Sequence, residues 1–204
     1  MNASRPPGPV AAAVVALALL SGCGGSGENP FDNAPQISNP AQTSGQKLSF
    51  AYFQRCVYPV LQARLQIDIN GVVSINSCAA AGCHDNANGT GGALRLFPAD
   101  AVDLANPAST PEAIRATDMY KNFYSSQGET VIGSAAASRL LNKPLIRGVL
   151  HGGGLIFSSE QDPNAKLFAY WISRPMPKGQ DEFSSAANGM FTPPDAVTGA
   201  CNSD

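Results

Sequence analysis

Cys78-Ala79-Ala80-Ala81-Gly82-Cys83-His84 brings two thiols and an imidazole together within seven residues. The chain around this stretch has only 14% charged residues and one other histidine, His151, so the cluster stands out chemically. Three chemistries use such a set. Two cysteines followed directly by a histidine are the arrangement that holds a haem covalently: the thiols form thioethers with its vinyl groups and the histidine ligates its iron. The usual separation of the two cysteines in that arrangement is two residues, whereas here it is four. A plain disulfide between Cys78 and Cys83, with His84 incidental, is the second reading. The third is structural zinc, which needs four nitrogen or sulfur ligands, for example Cys56, Cys78, Cys83 and His84. A dithiol oxidoreductase is disfavoured, because its reactive pair is Cys-x-x-Cys at the start of a helix.

The 204 residues include 44% hydrophobic ones, enough for one real core and one domain. With 20 glycines and 16 prolines the expected fold is loop-rich. A formal charge of −2 gives no reason to expect nucleic acid as a partner. Signatures of hydrolases, phosphate-binding loops and zinc proteases are missing: there is no Gly-x-Ser-x-Gly, no Gly-x-x-x-x-Gly-Lys-Ser/Thr and no His-Glu-x-x-His. An enzyme is therefore not the expectation.

At the N-terminus, Arg5 is followed by an apolar run from Val10 to Leu20, too short to span a bilayer that needs about 20 residues. It ends in Leu20-Ser21-Gly22-Cys23, which resembles the cleavage site of a bacterial lipoprotein signal. That resemblance implies a signal peptide over 1–22 and a lipidated Cys23. Gly24 in place of aspartate implies an outer-membrane location, with the folded part facing the periplasm or the cell surface. Loss of 1–22 removes Arg5 alone among the charges and leaves 12 basic and 15 acidic residues. Residues 23–47, rich in Gly, Pro, Asn and Ser, read as a flexible tether.

The folded domain is expected over 48–176. Ser49 is a candidate N-cap for a helix over Phe50–Gln66 that Pro59 should kink or restart, with Phe53, Val57, Val60, Leu61 and Leu65 on its inner face. Ile67, Ile69, Val73 and Ile75 alternate with Asp68, Val72 and Ser74 around Asn70-Gly71, which predicts a β-hairpin just before the cysteines. A polar glycine-rich loop follows His84, and then a short extended segment over Ala93–Phe97. Thr110-Pro111-Glu112 opens a helix whose apolar stripe is Ala113, Ala116, Tyr120, Phe123 and Tyr124. A shorter helix covers Ala135–Leu141, and a last one runs from Asp162-Pro163 to Ser173, burying Leu167, Phe168, Trp171 and Ile172. Residues 177–204 are expected to wrap the surface as a tail.

This order resembles the c-type cytochromes: an N-terminal helix, cysteines with their histidine, a glycine-containing loop, short helices, a distal iron ligand and a closing amphipathic helix. Phe53 to Leu61 and Trp171-Ile172 also resemble exported bacterial members, while the inserted hairpin and the four-residue gap depart from the common pattern. The resemblance covers roughly 48–176. It implies a mostly α, cytochrome c-like, loop-rich fold with a small inserted hairpin, and one covalent haem c held by Cys78 and Cys83 with His84 as proximal ligand. His151, in Leu150-His151-Gly152-Gly153-Gly154, holds the chain position of a distal ligand, and its glycines would admit close approach to a porphyrin face. Met176 is the alternative distal ligand, with Met119 assigned to the core and Met190 to the tail.

Of five cysteines, Cys56 and Cys201 then remain, and in an oxidising compartment they can pair. The implied function is an exported, lipid-anchored carrier of single electrons by outer-sphere transfer, with redox proteins and the membrane as partners. Two alternatives remain. One is a haem-free, disulfide-stapled surface lipoprotein that binds or builds; the other is a haem sensor or peroxidase with an open sixth site.

Overall fold

The computed structural model describes residues 45–204, so the expected signal, Cys23 and nearly all of the tether lie outside the described residues. About a third of the described residues are helical and about an eighth lie in strands or bridges. The fold is a mixed, loop-rich assembly of short helices with two small antiparallel hairpins.

Ser49 caps the first helix, α1 (Phe50–Tyr52), by accepting from the Tyr52 N–H at 3.0 Å. The helix widens into a π turn over Phe53–Val57 and resumes as α2 (Tyr58–Gln62). Pro59 explains the widening: in a regular helix its ring would meet the carbonyl four residues back, and the longer turn avoids this. The helical stretch stops at Gln62, four residues short of the expectation, because Leu65 already belongs to a strand.

Strands β1 (Leu65–Ile69) and β2 (Val72–Asn76) form the expected hairpin, with Asn70 and Gly71 both at positive φ in the turn. Its faces differ from the alternation read along the chain. A two-residue turn pairs Ile67 with Ser74 and Ile69 with Val72, so Val73 and Ile75 fall on the outer face, 55% and 52% exposed.

The helix expected from Thr110 is two helices, α3 (Pro111–Arg115) and α4 (Asp118–Gly128). Thr110 caps the first and Thr117 caps the second, each through its hydroxyl. The break rotates the buried face onto Ile114, Met119, Asn122 and Phe123, leaving Ala113 and Tyr124 exposed. A 3-10 turn (Ala135–Ala137) and α5 (Arg139–Asn142) occupy the next expected helix, and α6 (Pro163–Ser173) begins at the Asp162 cap.

α6 packs against the π turn. Trp171, wholly buried, has its ring 5.3 Å from Phe53 and donates its indole N–H to the Ser49 carbonyl at 2.9 Å. Leu167, expected in the core, is only partly buried at its edge.

Residues 177–204 are more than a surface wrapping. Ala187, Met190 and Phe191 lie in the core, the last in β3 (Phe191–Thr192), which pairs with β4 (Ala200–Cys201). Cys201 is joined to Cys56 by a disulfide, with Cα atoms 6.0 Å apart. Among the described residues no helix is long and apolar enough to cross a membrane.

Candidate functional site

Cys78–His84 folds as consecutive turns. Cys83 donates its N–H to Ala80 O at 3.0 Å, and the His84 N–H reaches back to Cys78 O at 2.9 Å. Gly82, at φ +82°, makes the reversal that lets four intervening residues bring Cys83 back beside Cys78. Asn88 and Thr90 bond to Gly82 from the following loop, and Gly91 donates to Cys83 O at 2.7 Å. A Cβ at Gly91 would lie 2.5 Å from His84 Nδ1, so only glycine lets this loop back the imidazole.

The protein's two histidines meet. Their rings lie 6.3 Å apart between centroids and 16° from parallel. His84 Nδ1 bonds to Leu94 O at 3.2 Å, and His151 Nδ1 bonds to Gly154 O at 2.8 Å. Each ring is thus held in the tautomer that leaves Nε2 for a ligand, the usual arrangement of metal-bound histidine. Two imidazoles that bind one metal ion from opposite sides, each nitrogen about 2 Å away, have centroids about 6 Å apart. The observed centroid spacing is of that size.

Around the two rings lies a cleft of about 420 Å³, within the range of small-molecule and cofactor sites. A smaller chamber of about 110 Å³ opens toward the core, walled by Leu61, Leu94, Leu140, Phe157 and Phe168. Cys78, His84, Gly91, Gly92, Lys143 and His151 line both. The inner face of the hairpin, with Leu65, Ile67 and Ile69, overhangs the larger cleft. The apolar walls, the two near-parallel imidazoles and the two thiols that line this cleft are a donor set that would suit a flat, apolar, metal-bearing ring such as haem.

Burial lowers the pKa of both imidazoles, reinforced at His84 by the charges of His151, Lys143 and Arg95 and at His151 by Lys143. Neutral imidazole is the form that ligates metal. Burial, then the neighbouring Cys83, pushes the Cys78 thiol up to about 11. A reactive dithiol has the opposite shift.

Other sequence-derived candidates lie elsewhere. Met176 is buried in the core, its N–H on Lys47 O at 2.7 Å, and lines neither chamber. Cys56 is tied up with Cys201, which removes it from the zinc set. Among the described residues no group of three or more His, Cys, Asp or Glu side chains is placed to hold a bare metal ion. Cys78 and Cys83 are not bonded to each other, so the plain-disulfide reading does not describe this structure. Lys143, Gly91 and the Leu94 carbonyl were not identifiable as site residues in the sequence; only the glycine content of the loops after His84 and His151 pointed toward close approach.

Comparison with protein-family models, with curated proteins and with solved structures returned no match.

Proposed function

We propose that this chain is an exported, lipid-anchored monohaem c-type cytochrome that carries single electrons. The observation that carries the reading is the near-parallel pair His84 and His151, 6.3 Å apart, with both Nδ1 atoms fixed on backbone carbonyls. Cys78 and Cys83, which line the same cleft, would hold haem c through thioethers, which are uncharged and suit a buried or half-buried position. His84 would be the proximal ligand and His151 the distal one. When bound, the haem supplies a one-electron iron couple.

The chain's own residues orient and shield. Leu94 and Gly154 fix the ring tautomers, burial keeps both imidazoles neutral, and the core-side wall of Leu61, Leu140, Phe157 and Phe168 keeps water from one side. Two imidazole ligands, His84 and His151, would leave no open position for oxygen or peroxide, which favours an electron carrier over a sensor or peroxidase. Packing of the first helical stretch against α6 through Phe53 and Trp171 also supports the cytochrome c-like reading. Lipidation at Cys23, the outer-membrane location and redox proteins as partners belong to the same proposal and rest on the sequence.

Purified protein made with intact haem-maturation machinery is expected to be red and to give a c-type pyridine haemochrome after denaturation, at one haem per chain. Colourless protein under those conditions would end the cytochrome reading.

A further inference from the structure

The inserted hairpin takes no part in the attachment motif, yet it is bonded to the loop that carries His151. Asp68 of β1 donates its N–H to Leu155 O at 2.9 Å and accepts from the Leu155 N–H at 2.8 Å, an isolated antiparallel bridge. One residue earlier stands Gly154, whose carbonyl accepts from His151 Nδ1 and whose N–H donates to His151 O at 2.9 Å. Gly154 has φ +77°, and a Cβ on it would run into Asp68 O. The imidazole, Gly154, Leu155 and β1 thus form one continuous set of bonds. His84 is held by a separate loop, with Leu94 O on its ring and the Leu96 N–H on its own carbonyl, and has no bond to the hairpin.

We infer that the β1–β2 hairpin is the device that positions His151, with Gly154 as the positioning residue at the joint. This deepens the haem reading of the cleft and rests on it. Every residue of β2 is exposed, and β1 carries most of the attachment to the body through the buried Ile67, the partly buried Leu65 and the Asp68–Leu155 bridge, while at the end of β2 Asn76 Nδ2 donates to Cys83 Sγ at 4.0 Å. Loss of hairpin order frees the His151 loop through β1, while His84 keeps its own bonds to Leu94 and Leu96. The hairpin therefore sets how firmly the sixth side is closed.

The test uses the full-length, haem-loaded protein and carbon monoxide as probe of the ferrous site. Gly154→Ala introduces the clash at the joint. Val73→Gly/Ile75→Gly weakens the ladder at two outward-facing, exposed positions where no core contact is lost. Tyr124→Gly, at an exposed position of α4, is a control for general destabilisation. Both site variants are expected to retain one covalent haem and to show a roughly tenfold rise in the fraction that takes up carbon monoxide, with the control at the parental level. If Gly154→Ala does not fold, the double glycine variant decides alone. Folded, loaded variants that take up no more carbon monoxide than the parent would overturn the inference while leaving the haem reading intact. In the full-length protein produced without haem, the same substitutions should speed exchange of the His151 Nδ1 proton, seen by NMR, and leave that of His84 unchanged. A colourless parent whose variants still show the faster His151 exchange would remove the haem reading and leave the hairpin inference, whereas variants with parental His151 exchange would remove the hairpin inference.

Discussion

His84 and His151 are held by one device, a ring nitrogen on a backbone carbonyl, supplied in each case by a nearby loop: Leu94 for one and Gly154 for the other. Gly91 works beside this device, since a methyl group there would collide with the His84 ring and with Cys83 O. Gly91→Ala should therefore lower the haem-to-protein ratio several-fold, roughly the effect of 1–3 kcal/mol of local strain, measured as haem absorbance per chain. Lys143 lines both chambers and forms no ion pair among the described residues. A cation there would favour the reduced form of a bound haem, which carries one positive charge fewer. Lys143→Gln is expected to lower the midpoint potential by up to about 59 mV, the tenfold change for one electron, in a spectroelectrochemical titration. Lys143→Arg should leave it near the parental value.

At the scale of elements, Glu182 secures the segment before the C-terminal 3-10 turn (Ser185–Met190). It is buried, accepts from Arg115 Nε at 3.0 Å and from the Tyr120 hydroxyl at 2.8 Å, and its backbone carbonyl takes the Phe50 N–H. Burial alone would push its carboxyl up, but hydrogen bonds and the Arg115 charge outweigh it and leave the pKa below the usual value. A carboxylate depressed on folding stabilises the fold above its unfolded pKa of about 4.3, and that contribution is lost as pH falls through the folded pKa. Glu182→Gln should cost about 1–3 kcal/mol at pH 7 in urea unfolding, with the difference shrinking in acid. Helix starts were legible in the sequence at Ser49, Thr110 and Asp162, because a cap bonds within three residues. The split at Thr117 was not, since Ala113, Ala116 and Tyr120 mimic one continuous stripe; nor was the hairpin's outer face, since the turn reverses the parity of the alternation.

For the whole molecule, the Cys56–Cys201 bond joins the π turn to the last strand, closing nearly all of the described chain into one loop. Replacing both with serine should cost about 2–5 kcal/mol by thermal or urea unfolding, and reductant should destabilise the parent to a similar degree. The pairing was open to inference because export and the other assignments left two cysteines over, and the cluster Cys78, Cys83 and His84 was visible because it is local. The bonds that complete the site were not, since His151 meets His84 across 67 residues and Asp68 meets Leu155 across 87. Contacts of that separation leave no periodicity to read.

Everything proposed for this cleft depends on His84 and His151 flanking one haem iron with nearly parallel planes. Electron paramagnetic resonance of the oxidised, haem-loaded protein tests it most directly. The expected result is a rhombic low-spin signal of two near-parallel histidines that is lost in His151→Ala; a high-spin signal in the parent, or a low-spin one unchanged in that variant, would rule the pair out.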